Sequence, residues 1–81
     1  MFYIYILRTS KNTLYTGQTN NLDKRLKEHA TKGKKSAKYL RQFNNFELVY
    51  SEKVKTRSEA LKREAEIKKL TKRQKEFLIK E

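Results

Sequence analysis

The sequence predicts an α+β fold, a three-stranded antiparallel sheet with helices packed on it, in the order β-β-α-(α)-β-α-α. Three observations lead there. Runs rich in aromatic and β-branched residues, Phe2 to Leu7, Leu14 to Gln18 and Phe46 to Ser51, read as strands. Helical signatures lie between and after them: residues spaced i, i+3, i+4, i+7 from Leu22 to His29, and two capping boxes, Thr56-x-x-Glu59 and Thr71-x-x-Gln74. The third observation is size. A chain of 81 residues without repeats, linkers or low-complexity segments makes one domain, 1–81. Folding such a chain buries roughly 60% of its unfolded surface, so a thin core must be shared by a single sheet and the helices on it.

The run FYIYIL lacks strict alternation, as expected of a central strand with both faces at least partly covered. Its period of two puts Tyr3 and Tyr5 on one face and Ile4 and Ile6 on the other, so one face offers hydroxyls. For any single tyrosine, core filling with the hydroxyl at the rim is the simplest role. Ser10, Lys11 and Asn12 connect this strand to Leu14–Gln18 as a hairpin, and Phe46–Ser51 is expected antiparallel beside the first strand.

A helix is predicted over Asn20–Ala30, with Asn20 as N-cap and Asp23 as its capping partner. Leu22, Leu26 and Ala30 are expected to face the sheet, leaving Arg25 and His29, one turn apart, at the edge of the buried stripe. An Arg and a His held beside a tyrosine suit phosphate. The next stretch, TKGKKSAKYLRQF, carries Lys32, Lys34, Lys35, Lys38 and Arg41 with no acidic residue between them. A solvated loop and short helix would explain these charges. Equally, Tyr39 and Phe43 interleave rings with the cations, a mixture suited to phosphate contacts plus base stacking.

In the helix that starts after Thr56, successive residues about 100° apart place Ala60, Leu61, Ala65 and Ile67 on an apolar arc with Glu64 near its middle. An inward carboxylate is costly to desolvate without a partner. Either it is an ion-pair partner of Lys68 or Arg25, or it is a metal ligand or catalytic group. A last short helix after Thr71 is expected to pack Phe77 and Leu78, and to fray at Ile79-Lys80-Glu81.

The formal charge of +12 favours polyanionic partners, and nucleic acid over membrane, since no apolar run approaches spanning length and no signal peptide is evident. The absence of cysteine excludes disulfides and thiolate metal sites and fits a reducing cytoplasm. A monomer is expected. Of the two glycines, Gly17 and Gly33, each should mark a place where a side chain would not fit or φ is positive.

Tyr3-Ile4-Tyr5, then Tyr15-Thr16-Gly17, then Arg25, His29 and Glu64 in order, resemble the GIY-YIG nuclease superfamily over nearly the whole chain. The resemblance is greatest to its small stand-alone bacterial members. It implies a single nuclease domain over 1–81 that hydrolyses phosphodiester bonds in DNA with one divalent ion, Mg²⁺ or Mn²⁺. By that resemblance Glu64 binds the ion, Arg25 holds the scissile phosphate, Tyr5 and Tyr15 position or deprotonate the attacking water, and His29 assists. A tyrosine is a poor base at neutral pH unless cations lower its pKa, and Arg25 and the protein's charge should act that way. Tyr3 stands where the family's first motif begins with glycine, and Gln18 where repair members often carry lysine. A second function therefore stays open: a module of the same fold, weak or inactive as a catalyst, that binds DNA or RNA, at the ribosome for example.

Overall fold

The computed structural model describes residues 1–31, 38–43 and 45–80, with Arg41 by its backbone alone. The expected order is found: β1 Phe2–Thr9, β2 Leu14–Thr19, α1 Leu22–Thr31, a 3-10 helix Lys38–Gln42, β3 Phe46–Val54, α2 Arg57–Lys68 and α3 Lys72–Lys80. The sheet is antiparallel in the order β2-β1-β3, so β1 is central. Tyr5 pairs with Gly17 across β2 and with Ser51 across β3.

The alternation of β1 decides which helix goes to which face. Ile4 and Ile6 pack against Ala60 and Ile67 of α2, with Leu78 and Ile79 of α3 beside them. Tyr5 and Leu7 point the other way, onto Leu22 and Leu26 of α1 and Leu40 of the 3-10 helix. Both faces of β1 are thus covered, which is why its sequence does not alternate in polarity. A bulge between Ile6 and Leu7 lets β3 skip Val49, so that Val49 joins the α2 face while Phe46 reaches the α1 face.

Local signals set the helix ends, with one correction. The N-cap of α1 is Asn21, not Asn20: its Oδ1 accepts from Lys24 N at 3.1 Å, and Thr19 Oγ1 accepts from Asn21 N at 3.1 Å. Both later boxes form as expected, Glu59 N donating to Thr56 Oγ1 at 3.1 Å and Gln74 N to Thr71 Oγ1 at 3.2 Å. In α3 the packed residues are Leu78 and Ile79, whereas Phe77 is 61% exposed. Next to Phe77, Glu76 accepts from the Arg8 guanidinium at both oxygens, at 2.8 and 2.6 Å, and so ties α3 to β1. On α2, Arg63 Nε donates to Glu52 Oε1 of β3 at 2.7 Å and Tyr50 also bonds Glu52, so both C-terminal helices are tied to the sheet by carboxylates.

Candidate active site at the α1 face and the edge of β2

The centre is Tyr5, buried on the middle strand, with its hydroxyl passing over Gly17. A Cβ on Gly17 would stand 2.6 Å from Tyr5 Oη and 2.7 Å from Cζ, so glycine is there for close approach. Gly33 lies outside the described residues.

Beyond Gly17 the Tyr5 hydroxyl meets His29, with Oη and Nε2 2.9 Å apart. His29 is fully buried, a correction to its expected place at the edge of the stripe, and Ala30 is exposed instead. The buried face of α1 is Leu22, Leu26 and His29 because His29 has both a hydrogen-bond partner and an aromatic setting. Its ring centroid is 6.1 Å from Tyr5, 5.8 Å from Tyr15 and 6.1 Å from Phe46. Burial first, and the Arg25 charge second, hold the His29 pKa down to about 4. It is neutral at pH 7.

Tyr5 departs from the expected cation-lowered base. Its pKa is pushed up to about 12, first by burial and then by Tyr15, against the pull of Arg25. In the free protein desolvation outweighs the cations, and the hydroxyl keeps its proton. Arg25 on α1 is steadied by Glu28, whose Oε1 accepts from Nη1 at 3.1 Å, and its guanidinium acts on Tyr5. Its ion pair is with Glu28 on its own helix, a residue that sequence reasoning passed over although the i, i+3 spacing offered it.

Glu64 comes from α2, on the other face of the sheet. Its charge nevertheless acts on the Tyr5 hydroxyl, because α2 packs along the edge strand β2 as well as over β1. The inward stripe of α2 is Ala60, Glu64 and Ile67, while Leu61 and Ala65 of the expected arc are exposed. Spacing i, i+4, i+7 rather than hydrophobicity identifies the buried face. The Glu64 side chain is 18% exposed, and its carboxylate lies 3.4 Å from Lys68 Nζ. Sequence reasoning had offered that ion pair as one partner for Glu64.

Tyr15 shares the α1 face of β2 with Gly17 and stacks on Tyr39 of the 3-10 helix, with centroids 6.0 Å apart and 16° between planes. Tyr39 Oη donates to Thr13 Oγ1 at 2.8 Å. Of the basic run, Lys38 is exposed. Lys32, Lys34, Lys35 and the side chain of Arg41 lie outside the described residues.

A catalytic-domain model for GIY-YIG proteins matches residues 1–77. The chain belongs to the GIY-YIG family. A UPF0213 protein of Syntrophus aciditrophicus is 49% identical over 79 residues, which is 98% of this chain and 90% of that protein. UPF0213 protein YhbQ of Escherichia coli is 44% identical over 80 residues, 99% of this chain and 78% of that one. The solution NMR structure of a UPF0213 protein from Bacillus halodurans matches with a TM-score of 0.62 and 40% identity, over 99% of this chain and 84% of that chain. The GIY-YIG motif residues accordingly fall on the paired strands β1 and β2, where the Tyr5 hydroxyl passes over Gly17. The described helices include none long and apolar enough to cross a membrane.

The donor set admits a hard divalent cation in one form only. Among the described residues no group of three His, Asp or Glu side chains comes together. Glu64 is a single inward carboxylate, and Mg²⁺ is commonly held by one or two carboxylates with water and phosphate oxygens completing its shell. Glu64 fits that arrangement once Lys68 moves away from it.

Proposed function

We propose that this GIY-YIG protein is a metal-dependent endonuclease that hydrolyses phosphodiester bonds in DNA. The observation that carries the reading is the meeting of Tyr5, His29 and Arg25 on the α1 face, near enough to the inward Glu64 of α2 for its charge to act on the Tyr5 hydroxyl. Arg25, steadied by Glu28, offers a guanidinium fork to phosphate oxygens and to the charge that grows there during displacement. At pH 7 Tyr5 keeps its proton, and His29, with its pKa down at about 4, is a weak base already hydrogen-bonded to Tyr5, so in the free protein the pair would orient water rather than take its proton. Neutral His29 fixes the phenol by the bond at Nε2, and Tyr15 lies beside both rings. Glu64 would hold Mg²⁺ or Mn²⁺, which supplies Lewis-acid charge at phosphate and acidifies water. The basic run from Lys32 to Arg41, Tyr39 included, would contact the DNA backbone and bases.

One observation favours the second reading, a binding module without turnover: Lys68 Nζ already lies 3.4 Å from the Glu64 carboxylate as its ion-pair partner. Labelled duplex, flap, junction and single-stranded DNA, with RNA counterparts, incubated with Mg²⁺, with Mn²⁺ and with chelator, separate the two. Products that appear only with the divalent ion support the nuclease. Binding without products under every condition leaves the module.

A further inference from the structure

Beside the Tyr5 centre, an open groove of about 300 Å³ straddles the free edge of β2, lined by Leu14, Tyr15, Thr16, Tyr39, Lys68 and Lys75. Its residues come from four elements on both faces of the sheet. Three features say what it takes. Tyr39 is 40% exposed while stacked on Tyr15, and Tyr15 in turn lies 6.4 Å, centroid to centroid, from Tyr5, so an aromatic ladder leads from the surface to the centre. Lys68 and Lys75 line the same groove from α2 and α3 and supply its positive charge. Thr16, 3% exposed, has its Oγ1 buried with no hydrogen-bond partner among the described residues.

We propose that this groove seats one unpaired nucleotide of the DNA strand beside the bond that is cut. The base stacks on the Tyr39 ring, its phosphate lies between Lys68 and Lys75, and a polar edge or a bridging water reaches Thr16. A paired base cannot enter, because its π-face is covered by its neighbours in the helix, whereas an unpaired base exposes it. The volume, at the low end of small-ligand sites of about 300–1,000 Å³, suits a single nucleotide and not a duplex. Lys68 joins this groove to Glu64, so a phosphate drawing Lys68 away would also free the carboxylate. What is cut rests on the nuclease reading above, but the binding does not.

The test is therefore run in chelator, where nothing turns over, by fluorescence anisotropy on labelled oligothymidylate and on labelled duplex. Tyr39→Leu is expected to weaken single-strand binding about tenfold and to change duplex binding by less than about twofold, given the worth of one stacked base. Tyr39→Phe, which keeps the ring, should bind single strands like the wild type. Lys75→Gln should reduce the log-log salt slope on the single strand by about 0.7, one phosphate contact. Equal weakening on both probes by Tyr39→Leu, no weakening on either, or loss in Tyr39→Phe as well would overturn the proposal. Should Tyr39→Leu fail a thermal-melt check of folding, the Lys75→Gln slope decides alone, and an unchanged slope rejects the groove. A protein that never cleaves DNA can pass this test, and an active nuclease can fail it.

Discussion

At the scale of single residues the site is held by a few tight neighbours, and its responses to pH and to small substitutions follow from them. His29 titrates at about 4 in the folded protein and near 6.5 when unfolded. Between those values the unfolded chain binds a proton that the native one refuses, so His29's contribution to stability is complete above about pH 6.5 and is lost as pH falls towards 4. Tyr5 does the reverse. Its folded pKa of about 12 exceeds the ordinary 10, so its contribution is lost as pH rises from 10 towards 12. Urea melts across pH should show both losses in the wild type, and His29→Gln should lack the acid one. Gly17→Ala sets a methyl group against the Tyr5 ring, a clash of the overpacking kind that typically costs about 1–3 kcal/mol. A lower urea midpoint for that variant, with DNA binding kept, is the expected result. The sequence made Tyr5, Tyr15, Arg25 and Glu64 legible as candidates through spacing and motif. It did not show that Tyr5's pKa would rise, since the balance between desolvation and the Arg25 charge depends on burial that only the packed α1 helix creates.

At the scale of elements, patterns tied to hydrogen bonding were more legible than patterns tied to hydrophobicity. The Thr56 and Thr71 boxes were readable because their side-chain bonds are local. The cap of α1 fell one residue later than expected, on Asn21, because Thr19 Oγ1 takes the Asn21 N–H and fixes the chain's entry. Asn21→Ala should lower stability by about 1 kcal/mol in chemical denaturation, with α1 amides exchanging faster than those of α2. An unchanged midpoint would return the cap to Asn20. The apolar residues Leu61, Ala65 and Phe77 misled, since α2 buries Ala60 and Ile67 and α3 packs Leu78 and Ile79, while the ion pairs from Arg63 to Glu52 and from Arg8 to Glu76 tie these helices to the sheet. Arg8→Ala is accordingly expected to speed hydrogen exchange in α3 while leaving β1 and β2 protected. Uniformly faster exchange would instead make Arg8 a determinant of the whole fold.

At the scale of the molecule, a charge of +12 on so small a chain sets its behaviour towards polyanions before any site acts. DNA affinity should fall steeply with salt, and neutralising Lys34, Lys35 and Lys38 together should flatten that fall, each lost phosphate contact on duplex removing about 0.9 from the log-log slope. An unchanged slope would make the run a solvated face. The fold class and strand order were legible because a short chain with three strand-like runs has few layer arrangements open to it. That α1 and α2 lie on opposite faces, with Glu64 inward on α2, was not, because only the alternation of β1 combined with packing assigns the faces. The central claim is that Glu64 and Arg25 serve turnover rather than binding. The most direct measurement compares DNA cleavage with Mg²⁺ and DNA affinity in chelator for wild type, Glu64→Ala and Arg25→Ala. Loss of a preorganised donor commonly lowers rate by about 10²–10³, so cleavage should collapse in both variants while affinity holds, and rises slightly in Glu64→Ala as a negative charge is removed. Wild-type cleavage in either variant, or an unfolded Glu64→Ala, would contradict it.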